Sequence, residues 1–334
     1  MKRLQRFRPS KDQWETEQER WLREAVFRVD GVAGLERIAR KTKRPQSCLA
    51  WCQALVDQDD WVAALRAYDA AATLVGRSHW RGELLEGAAL AAQELGRSDL
   101  SRRLEAAWRA APTLTRLLRW LVADSHELKP IRAKATRALA RCPKTAARQI
   151  GLLRVVLGDV TGAAALLSKA PGLGWSDPDH PGHTVFPTLA MLSSNGTIGA
   201  ALLTELDAAG RDPLESFAMT QEERKPMLPT PSIVALIEGV RTGIAVTDPD
   251  RDAISEAMRV AGQKRVDGIL GNSRRQHYGH AALLVASCIA CAPKTREAEL
   301  LRWAVDIRQR YWRRHAFRAE LARACESLGV LLPA

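Results

Sequence analysis

Apolar residues recur along most of the chain at spacings of three and four, the period of a helix with one buried face. Residues 47–58, "SCLAWCQALVDQ", place Cys48, Trp51, Cys52 and Leu55 on one stripe. A polar break follows. Then "WVAALRAYDAAATLV" carries Trp61, Ala64, Leu65, Tyr68 and Ala71/Ala72 on the inner side of a second helix. Two such helices joined by a short turn form a hairpin, and neither buries its stripe alone, so each hairpin needs a neighbour. Segments 80–111 and 113–142 predict four more helices, punctuated by Pro112 and Pro143, and 147–170 predicts another pair around the turn Gly158-Asp159-Val160. Further on, 197–210 ends on Gly210, a suitable C-terminal cap. Residues 211–231 hold Pro213, Pro226, Pro229 and Pro231 and predict a connector. Asp248-Pro249 marks a helix start, with Asp248 as cap. Helices are expected over 249–266, 278–292 and 296–328, the last broken near His315.

Two of these hairpins carry more than periodicity. Cys48, Trp51, Cys52 and Leu55, followed by Ala64, Tyr68 and Ala71, resemble the first and second helices of a tetratricopeptide (TPR) unit. Ile150 and Gly151, then Ala163, Leu167 and Ala170, resemble a second unit over 147–170. Cys48 and Cys52 stand where that family usually has Trp and Gly, and Arg154 breaks its pattern. The resemblance implies an all-α fold, an α-solenoid of antiparallel helical hairpins, divided near 171–187 or 211–231. The regions expected are an N-terminal helix or extension at 1–30, TPR-like repeats at 31–170, an ordered junction loop at 171–187, helix at 188–210, the proline-rich connector at 211–231 and a helical region at 232–334. It also implies a partner-binding groove lined by first-helix positions: Gln46, Leu49, Gln53 and Asp57 in one unit, Arg148, Leu152 and Val155 in the other.

Composition adds bounds. The 334 residues are 46% apolar and 26% charged, with Trp (10) outnumbering Phe (5) and Tyr (3), which suits a packed helical fold. The N-terminus is charged throughout and does not read as a signal peptide, and no apolar run reaches the length needed to span a bilayer. A cytoplasmic location with six reduced cysteines is therefore expected. The net charge of +12 is concentrated. Between Glu127 and Asp159 no acidic residue interrupts a run that includes Lys134, Arg137, Arg141, Lys144 and Arg148. A second cluster, "RQRYWRRHAFR", contains Arg308, Arg310, Arg313 and Arg314 beside Trp312. Such surfaces suit an acidic protein partner, a nucleic-acid backbone, or solvent alone.

Candidate chemistry is sparse. "GLGWSDPDHPGH" gathers Asp177, Asp179, His180 and His183, but Pro181 and Gly182 keep the histidines off one helical face and no third ligand lies nearby in sequence. The stretch reads as a capped, tryptophan-anchored junction with the histidines incidental. His277, His280, Cys288 and Cys291 mimic zinc spacing, but His280 and Cys288 would stand about 12 Å apart along one helix. Asp248, Asp250 and Asp252 begin like a calcium loop, yet Ala253 and Arg259 replace its glycine and glutamate. No hydrolase elbow, phosphate loop, dinucleotide fingerprint or metalloprotease motif is present. The sequence thus points to a non-catalytic scaffold or adaptor without cofactor, metal or small-molecule substrate, an accessory subunit of a larger bacterial complex such as one for defence or stress signalling, that binds a protein or peptide of acidic character; the alternative is a nucleic-acid-associated adaptor using the basic helical surfaces.

Overall fold

A computed structural model describes residues 15–76, 78–193, 200–211 and 226–333. Residues 1–14 of the N-terminal extension, 197–199 of the expected helix and 212–225 of the connector lie outside that set. Among the described residues the protein is all-α, with sixteen α-helices, one short 3-10 turn and no strand. No described helix is long and apolar enough to cross a membrane. The chain forms two compact units, Met1–Ala123 with Gln221–Pro229, and Asp124–Thr220 with Thr230–Ala334. One boundary between the units falls after Ala123 and others lie within the span 211–231, and the hairpins at 47–75 and 147–170 belong to different units.

In the first unit each helix packs on the next: α1 (Glu17–Thr42), α2 (Pro45–Val56), α3 (Trp61–Leu74), α4 (His79–Glu94), α5 (Leu100–Ala110) and α6 (Leu114–Val122). Thr16 and Glu19 close a capping box at the start of α1, and Gly31, at φ 62°, interrupts that helix. The expected stripes are the core: Cys48, Trp51, Cys52 and Leu55 from α2 pack with Ala64, Leu65, Tyr68, Ala71 and Ala72 from α3. Burial raises the Cys48 thiol to about 11, so it acts as a small apolar side chain rather than a reactive one. Gly87 of α4 lies against the Tyr68 ring, where an added Cβ would sit 2.3 Å from a ring carbon. That contact lets α3 and α4 approach closely.

The second unit begins with α7 (Leu128–Leu139), α8 (Ala147–Leu157) and α9 (Val160–Lys169). Gly158, at φ 86°, ends α8, and the Asp159 carboxylate caps α9 through Gly162 N at 2.9 Å. The stack does not continue from there. α10 (Gly182–Ser193) packs on α8 and α9, and α13 (Asp248–Gly271), far later in the chain, packs along α9. Between them in sequence lie α11 (Ala200–Gly210) and α12 (Ile233–Arg241). α14 (Tyr278–Ala290), α15 (Glu297–Arg310) and α16 (His315–Ser327) complete the unit, with α14 in contact with α13, α15 and α16.

Two local expectations are corrected. The cap of α13 is Thr247, in a box with Asp250, and Asp248 is the first helical residue. Residues 182–187, assigned to a junction loop, instead open α10 and run through Pro187. Proline there removes one backbone donor, a cost the helix meets because all its residues except His183 are buried in the unit's core.

Candidate functional site

Residues 171–181 form a loop held by cations on its backbone side. Gly174 takes φ 79° and its carbonyl accepts from Asp177 N at 2.9 Å, while the Asp177 carboxylate accepts from Asp179 N at 2.8 Å. Trp175, only 1% exposed, is the centre of the loop. Arg148 of α8 donates to the carbonyls of Asp177 (2.8 Å), His180 (3.1 Å) and Trp175 (3.4 Å). From α13, Lys264 Nζ donates to Ser168 O (2.7 Å) and Ala170 O (3.1 Å), and Arg265 donates to Gly172 O (3.4 Å). Three positive side chains thus donate to six carbonyls of the last turn of α9 and the loop that follows it. Burial lowers the pKa of Arg148, and Asp177 and Asp179 act against that fall.

His180 is a structural member of the loop. Its Nδ1 accepts from Gly182 N at 3.0 Å and its Nε2 donates to Pro171 O at 2.9 Å, which fixes the neutral Nε2–H tautomer. Burial, reinforced by His183, Arg148 and Arg265, lowers its pKa from the ordinary 6.5, against the opposing pull of Pro171 O. A group that stays neutral when folded and gains a proton when unfolded adds stability above the ordinary value and loses it below. Unfolding free energy is therefore expected to decline as pH drops below 6.5. In His180→Gln that part of the slope should disappear, as measured by urea unfolding across pH; an unchanged slope would refute it.

Behind Trp175 three side chains from separate helices converge. His183 of α10 bonds through Nδ1 to Glu205 Oε1 of α11, and His280 Nε2 of α14 lies 3.3 Å from Glu205 Oε2. Their donor atoms all come within 4.8 Å of one another, so among the described residues these three form a group able to hold a metal ion. Burial by itself would raise the Glu205 pKa, but the hydrogen bonds and positive character of His183 and His280 outweigh it and hold the carboxyl at about 2. The Trp175 ring meets the edges of both imidazoles, with centroids 5.5 Å from His183 and 5.0 Å from His280. Arg265 lies over Trp175 at 5.4 Å and donates through Nε to His280 Nδ1 at 3.3 Å. His183 and His280 both meet Glu205, while Cys288 and Cys291, which only mimic zinc spacing, are buried.

On its other side the loop walls a groove of about 540 Å³. Ala147 and Arg154 of α8 and Ala165, Leu166 and Lys169 of α9 line it, facing Pro171, Leu173, Asp177, Asp179 and Pro181. This is not the lining expected from the TPR resemblance. Leu152 and Val155 are wholly buried and Arg148 nearly so, because α10 and the loop cover that face of α8. Gly151 permits it: a Cβ there would stand 2.3 Å from Val185 of α10. In the first unit Gln46 and Leu49 are half-buried, and Gln53 and Asp57 are exposed and bonded to each other at 2.9 Å.

The basic run is likewise divided. Lys134 is buried and paired with Asp124 at 2.8 Å, and Arg148 serves the loop, so neither belongs to an open basic surface. Arg137, Arg141 and Lys144 are exposed. In the second cluster Arg310 and Arg313 are exposed, Arg313 lying over Trp312 at 5.0 Å; Arg308 is half-buried, and Arg314 donates to Leu270 O at 3.3 Å. No protein-family model, no curated protein and no solved structure matches the chain.

Proposed function

We propose that the protein is a non-catalytic helical scaffold that seats a short segment of a partner protein in the groove beside α9. The observation that carries this proposal is the groove itself: an apolar floor of Ala147, Ala165, Leu166 and Leu173 between a helix pair and a loop already held in place. A preordered wall spares a binding peptide part of the ordering cost. Exposed Lys169 on the helix side favours a carboxylate in the segment, next to apolar residues that reach the floor. The two TPR-like hairpins support the same reading, since such repeats serve as binding frames. The exposed Arg137, Arg141 and Lys144 would speed encounter with an acidic partner without touching the groove.

Selection from a displayed peptide library tests it. Peptides that combine Asp or Glu with apolar residues should emerge and bind with about micromolar Kd. Leu166→Arg should abolish binding and Lys169→Glu should reverse the charge preference. Peptide binding that ignores both changes, or failure to select any peptide, would overturn the groove as the seat.

A further inference from the structure

We propose that His183, Glu205 and His280 bind one divalent transition-metal ion, with Zn²⁺ as the fitting probe. Two imidazole nitrogens and one carboxylate are donors that such ions share, and three protein ligands leave a fourth position for water. Metal–ligand bonds near 2 Å in a tetrahedron separate the donors by about 3.3 Å. The three donors already lie within 4.8 Å of one another, so small side-chain shifts suffice. The side chains of His183, Glu205 and His280 are 26, 15 and 16% exposed, which leaves a route in from solvent. Trp175 contacts both imidazoles and is itself fixed by the cation-clamped loop, so the ring planes are set before an ion arrives.

One neighbour works against the ion. To ligate through Nε2, His280 must carry its proton on Nδ1, where the Arg265 Nε–H now donates. A ligating histidine is normally supported on its other nitrogen by an acceptor, not a donor. Arg265 therefore has to turn aside when metal enters, and its positive charge also opposes a dication. It is the residue that tunes the site. Replacing it by glutamine, whose carbonyl accepts from Nδ1–H, should strengthen binding.

The test is competition between the full chain and a chromophoric chelator for Zn²⁺, with metal content measured after dialysis. One ion per chain is expected. His183→Gln, His280→Gln and Glu205→Gln should each weaken binding at least about tenfold. His277→Gln, changing a nearby histidine outside the cluster, should leave it unchanged, and Arg265→Gln should tighten it roughly tenfold. Circular dichroism separates a lost site from a lost fold, and the Co²⁺ absorption spectrum of wild type, absent in His183→Gln, reports ligation independently. Equal affinity of wild type and the His183→Gln/His280→Gln double variant would overturn the proposal, as would an equal loss in His277→Gln. Neither outcome bears on peptide binding in the groove.

Discussion

Gly172→Ala is expected to destabilise the second unit more than any other single-methyl addition in the loop. A Cβ at position 172 would lie 2.0 Å from the carbonyl oxygen of Lys264 and 2.5 Å from its carbonyl carbon. That obstacle is backbone, inside a long helix, and no rotamer change removes it. The strand of loop must lift off α13, taking with it the bonds from Lys264 to Ser168 O and Ala170 O and from Arg265 to Gly172 O. Leu173 would follow, since it sits within 2.9 Å of where a Cβ on Gly268 would be. Overpacking ordinarily costs about 1–3 kcal/mol, and a clash against backbone with the loss of several bonds belongs at or above the top of that range. Urea unfolding and thermal melts check it. Gly239→Ala in α12 is the control: nothing stands within 4 Å of its Cβ position, and it should be neutral or stabilising by up to about 1 kcal/mol. Wild-type stability in Gly172→Ala would mean that the loop does not lie on α13.

The second large effect is expected at Arg148. Arg148→Met keeps the aliphatic stem and removes the guanidinium, leaving the carbonyls of Trp175, Asp177 and His180 without that donor. Hydrogen bonds from a charged group are worth about 1.5–3 kcal/mol each, and buried acceptors left unpaired add to the loss, so about 3 kcal/mol is expected overall. Arg148→Lys should recover only part, because one ammonium cannot spread over three carbonyls as a planar fork does. Hydrogen exchange localises the effect: amides of residues 172–182 should lose protection while those of α2 and α3 in the other unit keep theirs. Uniform loss, or none, would contradict the clamp.

The elements most legible in the sequence were those whose stripe is buried by the next helix in order. For α2 and α3 the spacing of Cys48, Trp51, Cys52 and Leu55 against Ala64, Tyr68 and Ala71 was enough, because local contacts make the core there. α10 was misread for the opposite reason. Pro181, Gly182 and Pro187 are breaker signals, and the helix forms because α8, α9 and α13 surround it, a tertiary influence that local propensity does not contain. The cluster behind Trp175 was hidden by distance along the chain: Glu205 lies 22 residues from His183 and 75 from His280. One signal was available. Glu205 falls three residues after Leu202 and one before Leu206, both wholly buried, so a carboxylate sat on an apolar stripe and needed a partner. The basic run misled because charge counts say nothing of direction. Lys134 and Arg148 point inward to a carboxylate and to carbonyls, whereas Arg137 and Arg141 face solvent.

The bonds from Lys264 to Ser168 and Ala170 at the end of α9 span 96 and 94 residues. A ribosome adding about 5–20 residues per second takes roughly 5–19 s to make that interval. Throughout it, the apolar side of α9 that α13 later covers is present without its cover, whereas each helix of the first unit meets its partner almost as soon as it is made. The second unit is thus the part of the nascent chain that most needs shielding during synthesis. Chains stalled before Lys264 should be the ones that chaperones hold and proteases remove.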